Sequence, residues 1–128
     1  MLKKKITFTD YNDVERTEEF YFNLSKAELM EMELSITGGL AEKITKIIAA
    51  KDTPAIVTIF KELILKSFGE KSSDGKRFVK NEEIKEAFTQ TEAYSNLFME
   101  LATDSIAAAN FVNGIVPTVS KPPISIQK

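Results

Sequence analysis

Apolar and polar residues alternate at the start of the chain. In residues 2 to 9 (LKKKITFT), Ile6 and Phe8 fall on one side and Lys5, Thr7 and Thr9 on the other, the period of two expected of a half-buried strand. Phe20 and Phe22 alternate with Glu19 and Tyr21 in the same way, and the stretch between them carries the turn formers Asp10, Asn12 and Asp13. The pattern predicts an N-terminal antiparallel hairpin whose apolar face needs a cover.

From Ser25 the period becomes helical. Ser25-Lys-Ala-Glu28 is a capping box, in which each side chain satisfies the other residue's backbone N–H. Two neighbouring stripes follow, Met30 and Leu34 on one, Leu29, Met32 and Ile36 on the other, before Gly38-Gly39 stops the helix. Residues 40 to 50 repeat Leu40, Ile44, Ile47 and Ile48 on one face, with Lys43 and Lys46 off it. Thr53 as N-cap and Pro54 at the first helical position open a third helix, closed by Gly69. Its apolar residues, Ile56, Val57, Ile59, Phe60, Leu63, Ile64, Leu65 and Phe68, are too many for one narrow stripe, so a central helix contacted from two sides is expected.

Residues 70 to 80 (EKSSDGKRFVK) are polar around Asp74-Gly75, a dipeptide favoured in tight hairpin turns. A helix from about Asn81 to Gln90 carries Ile84, Ala87 and Phe88. A longer one, from Thr91 or Glu92 to about Asn113, carries Tyr94, Leu97, Phe98, Leu101, Ala108 and Val112, with Gly114 and Pro117 ending it. The predicted fold class is mainly α (α+β): an N-terminal β-hairpin followed by about five helices, with a small hairpin excursion near residues 70–80. Residues 1–117 are expected to form a single globular helical domain. Residues 118–128 (TVSKPPISIQK), with Pro122-Pro123 and no apolar period, are expected to be a flexible C-terminal tail.

Composition narrows the chemistry. The chain has 128 residues, 43% apolar and 28% charged, enough for one core that buries roughly two thirds of the unfolded surface. With no Cys and no His, zinc fingers, thiol nucleophiles, Ser-His-Asp triads and imidazole bases are excluded, and only carboxylates, Lys, Tyr and hydroxyls remain. The carboxylate pairs Glu18-Glu19, Glu31-Glu33 and Glu82-Glu83 lack a site-like context and read as solvated surface. Gly69 to Lys76 resembles a phosphate loop only loosely: five residues instead of four separate the glycines, and Arg77 stands where Ser or Thr would hold the metal. No catalytic, cofactor-binding or metal-binding residue is therefore expected, and no cofactor.

A net charge of −2 argues against nucleic acid as a partner. The lack of any long apolar run argues against a membrane span or a secretory signal and predicts a cytoplasmic protein. Charge is uneven. Residues 10 to 35 hold eight acids and two bases, and residues 66 to 80 hold five bases and two acids, which predicts self-association with an electrostatic component. Most aromatic residues are spread along the elements as a core would require. Ile106 and Phe111 lie partly off the stripe made by Tyr94, Leu97 and Leu101; with Val112 they form one candidate partner surface, and Lys76 and Arg77 of the basic loop form another.

Longer stretches carry a family likeness. Thr17-Glu-Glu-Phe-Tyr-Phe-Asn-Leu-Ser-Lys-Ala-Glu-Leu-Met-Glu-Met-Glu-Leu34, Gly38-Gly-Leu-Ala41, Leu65-Lys-Ser-Phe-Gly-Glu70, Asp74-Gly-Lys-Arg-Phe78 and Thr91-Glu-Ala-Tyr-Ser-Asn-Leu-Phe-Met-Glu-Leu-Ala102 resemble the tail assembly chaperones of long-tailed (siphovirus-type) phages or prophages. The likeness spans roughly residues 5 to 117 and is one of whole-chain texture, not of a catalytic motif. It implies a non-enzymatic helper in the host cytoplasm that holds the tape measure protein while tail tube subunits polymerise around it, acting as a homo-oligomer. It also implies a short form and a frameshifted long form, for which the stretch after Pro117 suits the point of divergence. A structural virion protein, such as a tail-completion or head-tail connector subunit, is the alternative of the same size and fold class.

Overall fold

The computed structural model describes residues 1–36 and 38–117, so the expected tail at 118–128 lies outside the described residues. Their elements run β1 (Leu2–Thr9), β2 (Glu15–Phe22), α1 (Lys26–Ser35), α2 (Leu40–Ala50), α3 (Thr53–Ser67), β3 (Phe68–Lys71), β4 (Phe78–Val79), α4 (Glu82–Thr89), α5 (Glu92–Thr103) and α6 (Ser105–Ile115). The mainly-α fold with an N-terminal hairpin is the one the periodicity predicts. No helix among the described residues is long and apolar enough to cross a membrane.

The hairpin is in full register, from Leu2 opposite Phe22 to Thr9 opposite Glu15. Its turn is built by Asp10, whose Oδ1 accepts from the backbone N–H groups of Asn12 and Val14 while its other oxygen pairs with Arg16. The Arg16 hydrogen bond is the main cause holding the Asp10 carboxyl below the usual carboxylate range. The excursion near residues 70–80 is more than a satellite. Phe68 and Gly69 pair with Phe22 and Tyr21, and β3 pairs in turn with β4, giving one four-stranded antiparallel sheet in the order β1-β2-β3-β4.

Four local readings are corrected. Asp52, not Thr53, caps α3, its carboxylate accepting from the Ala55 N–H at 3.3 Å; the carboxylate one residue earlier reaches the orphan donor and leaves Pro54 inside the first turn. Gly69 does not close α3 but lies in β3, where an added Cβ would sit 2.7 Å from the Phe78 ring and 2.8 Å from the Val79 carbonyl oxygen. Gly114 lies inside α6 with Leu2 packed over it. The long last helix is two helices, because Asp104 ends α5 and caps α6, accepting from the N–H groups of Ile106 and Ala107 at 3.0 and 3.1 Å.

The core lies between the sheet and the helices. Phe22 and Phe60 are fully buried, with Leu63 and Ile64 of α3 and Ile115 of α6, so α3 is central. Phe68 stacks on Phe88 at 4.1 Å between ring centroids, and Phe22 meets Phe111 edge-on at 5.3 Å, geometries that add to the area buried. The buried Ser67 hydroxyl donates to the Leu63 carbonyl at 2.6 Å, which satisfies it within its own helix.

The α1 capping box forms as the spacing requires, Ser25 Oγ accepting from the Glu28 N–H and the Glu28 carboxylate from the Ser25 N–H. Of the two apolar stripes on α1, the fold buries Leu29 and Met32 and leaves Met30 and Leu34 at 65% and 83% exposure. Lys80, beyond β4, ties this helix down: its Nζ bridges the Glu28 carboxylate at 2.8 Å and the Asn23 carbonyl at 2.8 Å.

Candidate functional site

β2 has two unlike ends. Tyr21 and Phe22 are paired on both sides, to β1 and to β3. Toward the turn, β1 continues alongside but β3 diverges, so Glu15 to Phe20 are paired with β1 only. The divergence opens a cleft of about 360 Å³ lined by residues 18–21 of β2 and 68–71 of β3. A second depression of about 350 Å³ adjoins it, sharing Phe20, Phe68 and Glu70 and adding Glu83, Ile84, Ala87, Phe88 and Thr91 from α4 and its C-terminal turn. Together they form an aromatic-floored groove with glutamates and one lysine, Lys71, at the rim. Sequence periodicity marks Phe20, Phe68 and Phe88 as core, but nothing local shows that the strands beside them splay.

The charges near the groove are placed by the strand's alternation. Glu18 faces the same side as Phe20, Glu19 the same side as Tyr21. Arg16 reaches Glu18 at 3.5 Å but is drawn mainly to Asp10. The Tyr21 hydroxyl donates to Glu19 at 3.2 Å, and Lys71 lies over the Tyr21 ring at 5.4 Å, a cation–π contact. Desolvation, then the neighbouring Glu19, raises the Tyr21 phenol above its ordinary range.

Lys76 and Arg77 stand exposed at the β3–β4 turn. That turn closes through Ser72, whose carbonyl accepts from the Gly75 N–H, with Gly75 at φ +75°, the left-handed position that follows a type I turn. The Asp74 carboxylate accepts from the Ser72 hydroxyl and the Lys76 N–H, and the former leads in holding it below the usual carboxylate range.

The other predicted surface is divided. Ile106 is 60% exposed, but Phe111 and Val112 are 2% and 1% exposed, packed into the core. Asp104 restarts the helix after α5 and resets its phase, so the Phe111, Val112 and Ile115 side turns inward, with Phe111 against Phe22. Phe111 and Val112 are therefore packing residues in this fold, and the structure does not bring Ile106 together with them as a surface. The exposed Met30 and Leu34 are a further apolar pair, visible in the sequence as one of two competing stripes.

Among the described residues no group of three His, Cys, Asp or Glu side chains is placed to hold a metal ion. The depression between α3 and α4, about 600 Å³, is open and mixed in charge, with Lys61, Lys85, Glu82 and Glu86 around Leu65 and Tyr94. What the surface offers is binding: a groove with a free strand edge, a basic turn and isolated apolar residues.

A family model described as phage tail assembly chaperone matches residues 1–121. No curated protein matches the chain, and no solved structure does.

Proposed function

The chain belongs to the phage tail assembly chaperone family, and on that premise we propose that it holds the tape measure protein in the host cytoplasm while tail tube subunits assemble. An assembly chaperone works by binding, not by making bonds, so the protein is non-enzymatic. The observation that carries the reading is the combination of a charge-rimmed aromatic groove between β2 and β3 with a basic turn that leads out of β3. Such a molecule offers a groove to a client and charged surface to further copies of itself, and the uneven charge supports self-association that weakens with salt.

Co-expression with the neighbouring tail genes, followed by capture of this chain, tests the proposal. The tape measure protein is expected to be retained and protected from proteolysis, with tube subunits recruited to that complex. Capture of neither protein would overturn the reading, and recovery of this chain as a stoichiometric component of purified particles would favour a structural virion protein. Light scattering at low and high ionic strength checks the self-association, for which a monomer under all conditions is the contrary result.

A further inference from the structure

The geometry points to a strand-addition site on the turn-proximal half of β2, built to receive an extended polypeptide segment with apolar residues at alternate positions and Lys or Arg between them. The site goes beyond the assembly role proposed above and does not depend on the identity of the client.

The first ground is the edge itself. Residues of an antiparallel strand direct their N–H and C=O groups alternately to either side. β2 uses one side along its whole length against β1, and the other only at Tyr21 and Phe22 against β3. The six residues from Glu15 to Phe20 therefore present a second row of donors and acceptors without a strand partner among the described residues. Six residues span roughly 20 Å, the length of an ordinary strand.

The second ground is how the free edge of β2 differs from the outer edge of β1, where Asn96 of α5 already donates to the Thr7 carbonyl. The outer edge strand β1 carries Lys3, Lys4 and Lys5 in succession, a device that discourages pairing. The free part of β2 has no lysine and no proline, and its one base, Arg16, is held by Asp10. Glutamates take those places instead. Glu15 and Glu19 lie on the strand's Tyr21 side, where the basic residues of such a segment fall beside one lysine, Lys71, and Glu18, Glu70 and Glu83 border the aromatic floor. Two copies of this edge would bring like charges together, which disfavours β2-to-β2 pairing, whereas a basic segment is drawn in.

The third ground is the floor. A strand laid beside Glu18 to Phe20 enters the cleft between β2 and β3, and its side chains on the core side stand over Phe20 and the ring edges of Phe68 and Phe88. Main-chain bonds then supply affinity and the alternate pockets supply selection, the division of labour of strand-addition sites.

The test uses the full ¹⁵N-labelled chain and a synthetic peptide, acetyl-Gly-Lys-Val-Lys-Ile-Lys-Val-Gly-amide. Amide shifts confined to residues 15–21, 68–71 and 83–91, with slowed exchange of the outward amides of β2, are expected, and affinity should fall as salt is raised. The same peptide with Glu for Lys should not bind. One with alternate backbone nitrogens methylated should bind at least tenfold more weakly. The double variant E18K/E19K should keep the dispersed spectrum of the folded chain and lose at least tenfold in affinity. No shift at millimolar peptide, shifts elsewhere, equal binding of the methylated peptide, or unchanged affinity of the double variant would each overturn the site. Concentration-dependent slowing of the outward amides of residues 15–20 without peptide would also overturn it, by showing that a second copy pairs along the edge. None of these outcomes bears on capture of tail proteins, so the site and the assembly role fail separately.

Discussion

At one end of β2, Phe22 is fully buried, touching Phe68, Phe88 and Phe111 with centroid separations of 6.0 Å or less, and its backbone is paired on both sides. A few residues earlier, Glu15 to Glu19 are exposed and paired on one side only. One continuous strand thus serves two purposes. Where its inward residues are aromatic, the helices and β3 close over it; where they become Arg16 and Glu18, there is nothing to bury and β3 turns away. The difference teaches that the split between folding and binding on this protein follows side-chain alternation and not element boundaries.

The comparison breaks most visibly at the buried end. Truncating Phe22 to Ala removes a ring from the centre of the aromatic cluster and should cost about 3–5 kcal/mol in urea unfolding; a cost under about 1 kcal/mol would mean that this end of the strand is not the anchor described. Next is Gly69→Ala. The new methyl meets the Phe78 ring and the Val79 carbonyl oxygen, an overpacking expected to cost about 1–3 kcal/mol, and a neutral result by the same measurement would show that β3 and β4 shift freely.

Lys80→Met tests the tie between sheet and α1, with an expected loss of about 1–2 kcal/mol for a charged hydrogen-bonded pair that is partly exposed. Burial lowers Lys80 from the usual ammonium range even with Glu28 beside it. On Glu28 burial acts upward, but hydrogen bonds from Lys80 and Ser25 outweigh it and the carboxyl ends below its usual range. The desolvation cost thus falls on the lysine, which keeps the expected loss modest. Glu28 binds its proton more weakly folded than unfolded, so its contribution is fully present above the ordinary carboxylate pKa and is lost as pH falls through the lowered one. The gap between wild type and Lys80→Met should therefore narrow in acid, and a gap that widens would contradict the pairing. Smallest of all, Glu18→Gln at the open end should change stability by less than about 0.5 kcal/mol, measurable as an unchanged urea midpoint.

Much of this was legible in the residues alone. The alternation at Ile6, Phe8, Phe20 and Phe22, the Ser25–Glu28 box and the Leu40, Ile44 spacing are local signals, and each fixes a local structure. The pairing of Phe68 and Gly69 with β2 was not legible, because it joins segments more than forty residues apart and Gly69 reads locally as a helix stop. Met30 and Leu34 compete equally with Leu29 and Met32 until the rest of the fold chooses a face. Asp104 hides a break inside an apolar period, and that one cap is why Phe111 and Val112 belong to the core instead of a partner surface. The groove was invisible for a related reason: its floor is made of core-type residues, and its existence depends on where two strands part.

Native-state hydrogen exchange along β2 tests the central claim most directly. The account predicts that the amides of Tyr21 and Phe22 exchange only through global unfolding, whereas within residues 15–20 protection alternates, the amides turned from β1 exchanging through local opening orders of magnitude faster. Uniform protection from Glu15 to Phe22 would show that the edge is closed and would contradict the division of β2 into a folding end and a binding end.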